Sequence, residues 1–195
     1  MGRYEPGPIP HNTFDRPCLD FVNSEFTDHL GGGQVYDRLA LAEWRTWFVR
    51  RWGLPADEPL PPVAHRELAD LRALLRRLME SRAEPDDAER ARLNLFLSRP
   101  TQVRELVRGE DGPALGLRWV SSGWQVVVAA VSASYAEMLV SGEIEQVRVC
   151  ENPDCLFIFR DESRNRSRRW CDPAICGNLV KVRRHRARIR GGRSV

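Results

Sequence analysis

Cys150-Glu-Asn-Pro-Asp-Cys155, a gap of fifteen residues, then Cys171-Asp-Pro-Ala-Ile-Cys176 decides how the last quarter of this 195-residue chain folds. Four of the five cysteines stand here as two pairs of identical spacing, each enclosing a Pro and an Asp. Pro and Asp build tight turns, and a turn at each pair can bring two sulfurs to a shared Zn²⁺ at about 2.3 Å. A tetrahedral site with Cys150, Cys155, Cys171 and Cys176 as ligands is therefore expected, holding one structural zinc. Phe157-Ile158-Phe159 reads as a strand after the first pair, and Ala174 to about Arg190 as a helix opened by the second. Knuckle, hairpin and helix in that order make a treble-clef-like finger.

Three other uses of the cysteines exist: unrelated buried thiols, two disulfides, or ligation of an iron-sulfur cluster. The chain opens on Met1-Gly2-Arg3-Tyr4 without an apolar leader, so a reducing cytoplasm is the expected location and disulfides are disfavoured. Iron takes the same thiolates as zinc, and metal analysis separates the two.

Charge gives the cluster its context. Residues 156–195 carry eleven Arg and one Lys against three acids, or +9, while residues 1–155 carry eighteen Arg against twenty-four acids, or −6. The overall +3 thus conceals two parts of opposite sign, the footprint of a polyanion binder. Projected at about 100° per residue, the C-terminal helix places Ile175, Leu179, Val182 and Ile189, with Arg186, on a stripe expected to pack on the finger hairpin. Lys181, Arg184, His185 and Arg188 fall on the opposite side. Arg166, Arg168, Arg169 and Arg183 join them as candidate nucleic-acid contacts. Some seventeen residues make a helix about 25 Å long, enough to lie in or across a groove of duplex DNA.

Phe159-Arg-Asp161-Glu-Ser163-Arg-Asn165-Arg-Ser-Arg168-Arg169-Trp170-Cys171, with Cys176-Gly177-Asn178 and the basic helix, resembles the CGNR zinc finger of bacterial transcription regulators. Cys18-Leu19-Asp20-Phe21-Val22-Asn23-Ser24 is similar to the opening of the ABATE domain that precedes this finger and is described as a stress-induced regulator. The resemblance implies a zinc-finger DNA-binding regulator, with room for a small-molecule effector and a homodimer. It departs in one place: Leu179 stands where the motif has its final Arg.

The rest of the chain supports a mainly α protein with small β elements: a helical N-terminal domain (1–145), expected to sense a ligand, and the finger (146–195). Residues 1–17 form a Pro/Gly-rich arm. Leu19 to Asn23 can run as a short helix or as a strand end; the ABATE resemblance implies a helix with Leu19 and Val22 inward, and Asn23 is a candidate ligand contact. Gly31-Gly32-Gly33 lacks the flanking pattern of a phosphate loop. Asp37 reads as the N-cap of a helix to about Trp52, whose Trp44 and Trp47 are candidate pocket walls. Leu68, Leu71, Leu75 and Leu78 mark a second helix from about Ala64 to Arg82. Pro85 starts a third that ends at Ser98. Residues 101–107 and 115–120 form a hairpin about Gly109-Glu-Asp-Gly112. Trp124 to Val140 is apolar on most sides, so it belongs at the centre of a core, and Ser132 and Ser134 give it small positions where another helix, of this chain or of a second subunit, can approach closely. Glu143 to Val149 reads as a strand feeding the finger.

Catalysis lacks a signature. No His-x-Glu accompanies a Pro-Cys-x-x-Cys, no Gly-x-Ser-x-Gly occurs, and the four histidines are scattered. Four Cys ligands leave zinc no open position for water. The competing readings are an RNA- or protein-binding zinc module and an enzyme using a pocket in the helical domain. No run of eighteen apolar residues exists to span a membrane.

Overall fold

The computed structural model describes residues 14–27, 34–99 and 102–191, so most of the N-terminal arm and the glycine run at 31–33 lie outside it. At its centre stands the helix Trp124–Val140 (α5), with Val126, Val127, Val128, Val131, Tyr135 and Met138 fully buried. A helix apolar all round must be covered all round. Pro17–Val22 (α1), Pro62–Ser81 (α3) and Asp87–Leu97 (α4) cover it. Ser132 and Ser134 are buried in this packing, so they offer no surface to a second subunit.

The helix starts follow from capping. Pro62 opens α3 as its first residue, where the missing N–H costs nothing. Pro85 does not open α4. Asp86 caps it instead, accepting from the Glu89 N–H at 2.8 Å while Glu89 accepts from the Asp86 N–H at 2.9 Å. This reciprocal box satisfies two orphan donors, which a proline cannot do. Asp37 caps only a single 3₁₀ turn (Arg38–Ala40), and the helix Ala42–Arg51 (α2) begins after it. The Asp37 carboxylate is divided between the Leu39 N–H at 2.9 Å and the buried Arg72 at 2.6 and 2.8 Å. Trp44 and Phe48 of α2 stack 5.0 Å apart inside the core.

Three two-stranded antiparallel sheets complete the fold. Glu25–Thr27 (β1) pairs with Val35–Asp37 (β2), a pairing too short to show periodicity in the sequence. Gln102–Gly109 (β3) and Gly112–Trp119 (β4) form the expected hairpin around Glu110-Asp111, with Gly112 at φ 128°. Val147–Val149 (β5) pairs with Ile158–Arg160 (β6), and the first cysteine pair lies in the connection. Glu143–Gln146 is a 3₁₀ turn rather than strand, entered through the left-handed Gly142.

Two cores result, and β5–β6 belongs to both. Val147 and Ile158 enter the large core of α1, α3 and α5, whereas Phe157 and Phe159 join Phe26 and the four cysteines. Asn23, at the end of α1, fixes this junction. Its amide donates to the Ile158 carbonyl at 2.7 Å and accepts from the Ile158 N–H at 2.9 Å, pairing with β6 as a neighbouring strand would. From α3, Arg76 donates to the carbonyls of Val22 at 2.9 Å, Glu25 at 3.1 Å and Leu156 at 2.7 Å. Arg160 pairs with Asp15, Glu143 and Glu162, and Arg16 shares Glu143.

Candidate metal centre and nucleic-acid interface

Turn chemistry places the sulfurs. In the first knuckle Cys155 N–H returns to the Asn152 carbonyl at 2.8 Å and Cys150 N–H reaches the Phe157 carbonyl at 3.0 Å. In the second, Asp172 accepts from the N–H groups of Ala174 at 2.7 Å and Ile175 at 3.1 Å, opening one wide turn (Pro173–Gly177) that leads into the helix Asn178–Gly191 (α6). Gly177 sits close under Trp170: a Cβ there would stand 3.2 Å from the ring, which would have to shift by a few tenths of an ångström. The two knuckles are tied by Glu151 N–H to the Arg169 carbonyl at 2.9 Å.

All four sulfurs lie within 4.8 Å of one another and are buried. Cys155 to Cys171 measures 3.8 Å and Cys171 to Cys176 3.7 Å. A tetrahedron with Zn–S of about 2.3 Å has an edge of about 3.8 Å. The quartet therefore fits one ion. Disulfides are ruled out, since their S–S bond is about 2.05 Å. A multi-iron cluster would spread its cysteines over different irons and hold them further apart. Hydrogen bonds from Cys155 and Cys171 bring the Cys150 thiol down to about 7, while the Cys150 partner pushes Cys155 and Cys171 up. Four thiolates this close repel one another, so holding them together requires a dication among them.

Side chains behind the ligands hold them in place, as outer partners do at metal sites. Asn152, fully buried, donates to the Cys176 sulfur at 3.6 Å. Arg183 reaches the Asn152 side-chain oxygen at 3.4 Å and pairs with Asp154. It stands one turn beyond Leu179, so an arginine braces the first knuckle although Leu179 occupies the motif position. Arg168 donates to the carbonyls of Trp170 at 2.9 Å and Cys171, with its guanidinium 4.7 Å over the Phe159 ring. Spacing alone did not reveal these roles. Asn152 announces nothing until the second knuckle folds against it.

The expected basic contacts therefore divide. Arg168 is half-buried and structural, Arg169 is paired with Glu151, and Arg183 with Asp154. Lys181, Arg184, His185 and Arg188 are exposed and make no side-chain hydrogen bond or ion pair among the described residues, although the Arg184 charge reaches Glu151. Arg186 is exposed as well, although the projection put it on the packed stripe. That stripe is corrected by the structure: Val182 is 43% and Ile189 50% exposed, and Val180 is the residue α6 buries. The finger strands are only three residues long, so the hairpin ends before it can cover the outer helix. Arg164 and Arg166 are exposed on a loop pinned by buried Asp161, which accepts from Ser163 N–H at 3.0 Å, its hydroxyl at 2.6 Å and Arg168 N–H at 2.8 Å.

The candidate ligand residues do not form a pocket. Both functions of the Asn23 amide are taken by Ile158, and Trp44 is core. Trp47 is half-buried on a shallow groove with Glu43 and Arg50.

Comparison with known families now places the chain. A family model described as "Putative stress-induced transcription regulator", ABATE, matches residues 15–142, and the CGNR zinc finger model matches residues 146–189. The chain belongs to the ABATE family and carries a CGNR zinc finger. No curated protein matches it. In this ABATE protein the four CGNR cysteines are positioned to bind a single metal ion, as a structural zinc. Among the described residues no helix is long and apolar enough to cross a membrane.

Proposed function

We propose that this ABATE protein is a DNA-binding transcription regulator, in which residues 146–195 grip DNA through α6 and residues 1–145 receive the signal. The observation that carries the reading is α6 itself. Six cations and no acid lie between Asn178 and Gly191, on a helix that buries little beyond Val180 and starts at a metal-fixed knuckle. Solvated faces are usually mixed in sign. This one supplies phosphate contacts from Lys181, Arg184, His185 and Arg188, with Arg164, Arg166 and Arg186 beside them. A guanidinium fork at Arg184 or Arg188 suits guanine in a major groove. Catalysis is not part of the reading: the sulfurs fill a tetrahedral ion, and burial pushes the remaining thiol, Cys18, up to about 12.

Titration with duplex DNA at several salt concentrations tests it. Affinity should fall with a log–log slope of about −0.9 per neutralised phosphate, and Arg184→Ala with Arg188→Ala should flatten the slope by about 1 per lost contact. An unchanged slope, or tighter binding to RNA than to DNA at equal salt, overturns the reading.

A further inference from the structure

Beyond the buried Val180, α6 is tied to the first knuckle by Arg183, which pairs with Asp154 and donates to the Asn152 side-chain oxygen at 3.4 Å. Among the described residues it is the only cation of α6 in an ion pair. The Asn152 oxygen also accepts from the Asp154 N–H at 3.4 Å, and the Asn152 amide nitrogen donates to the Cys176 sulfur at 3.6 Å. A guanidinium on the helix thus stands two hydrogen bonds from a metal-binding sulfur. Four thiolates around one Zn²⁺ leave a net charge of about −2, and Asp154 adds a further negative charge beside them. The sulfurs are buried, so nearby donors must do what water would do outside. Linked hydrogen bonds reinforce one another: a positive charge at the Asn152 oxygen polarises the amide and strengthens its N–H toward sulfur.

From this chain of contacts we infer that Arg183 is a positioning residue for the metal: acting through Asn152 it draws negative charge off the Cys176 sulfur, so the folding of α6 and the retention of the ion depend on each other. Metal sites are tuned in this way by the groups behind their ligands. Helix geometry adds a second consequence. At about 100° per residue, Arg183 lies roughly 150° round the axis from Lys181, His185 and Arg188. The tie that serves the metal therefore also turns those cations away from the knuckle. The inference rests on the metal assigned to the four cysteines and is independent of the DNA-binding reading.

Competition of the full chain with a chromophoric chelator reads its Zn²⁺ affinity. Arg183→Ala should weaken that affinity about tenfold, the scale of loss when an outer partner at a metal site is removed. Arg183 is exposed, so the variant should still fold and load fully at excess zinc. In the Co²⁺-substituted protein its sulfur-to-metal charge-transfer band should move to longer wavelength, because a sulfur with weaker hydrogen bonding gives up charge more easily. Val182→Pro breaks the helical turn that aims Arg183 while keeping the arginine in the chain. It should weaken zinc binding at least as much, and adding Arg183→Ala to it should cost nothing more. An unchanged affinity in Arg183→Ala overturns the inference. So does a weaker affinity with an unmoved cobalt band, which would make Arg183 a brace of the fold alone. A Val182→Pro variant that binds zinc as before, or whose loss adds to that of Arg183→Ala, overturns the dependence on α6.

Discussion

Asn23 joins the helical part to the finger with one side chain. In Asn23→Ala the Ile158 N–H and carbonyl, both beneath a fully buried residue, lose their partners at about 1–3 kcal/mol per group. Urea denaturation should therefore show a loss of several kcal/mol. Asn23→Asp should do no better, because a carboxylate can accept from the N–H but faces the carbonyl with negative charge. Cys18 offers a second check at this scale. Burial raises its thiol to about 12, and it is enclosed by Ser134 and Met138. Brief alkylation of the zinc-loaded protein should spare Cys18 until denaturant is added, as read by intact mass. Asn23 could be read as a buried amide from its surroundings, but its partner lies 135 residues away, and no local pattern reports such a distance. The cysteines were legible because turn residues and spacing encode them within a few positions.

Helix α6 has little to hold it. Helices of about 12–15 residues are marginal in water without packing, and this one has fourteen residues with its cations repelling one another. Its outer turns, beyond Val180, should therefore exchange amide hydrogens quickly in the free protein and slow on adding duplex DNA. Helicity by circular dichroism should rise in the same titration, and an unchanged exchange rate in saturated complex would contradict this account. The length and charge of α6 were plain in the sequence. Which face it buries was not, because a helical projection fixes directions around an axis but says nothing of how far the neighbouring hairpin extends. For the same reason Trp124–Val140 was read correctly to the residue, since a helix apolar on every side needs no knowledge of its neighbours. The β1–β2 pair was missed because three residues give no alternation to detect.

Across the whole molecule the finger is not an appendage. Phe26 from β1 stacks on Tyr36 of β2 at 5.6 Å and lies in the same cluster as the cysteines, while Ile158 and Val147 run into the helical core. The division of the sequence at 145/146 by itself would let the finger unfold alone. The shared strands predict instead that Cys155→Ser, or chelation, lowers the melting temperature of the entire protein in one transition; structural zinc is worth on the order of 10 kcal/mol. Two separated transitions, with the helical part melting as before, would restore the independent finger. The division of charge has its own result. With −6 on one part and +9 on the other, the protein is an electric dipole, and the field of a polyanion turns it before contact. If it binds DNA as proposed, it should land tail first, with the acidic body directed away from the nucleic acid and its outer surface left open to the surrounding solution.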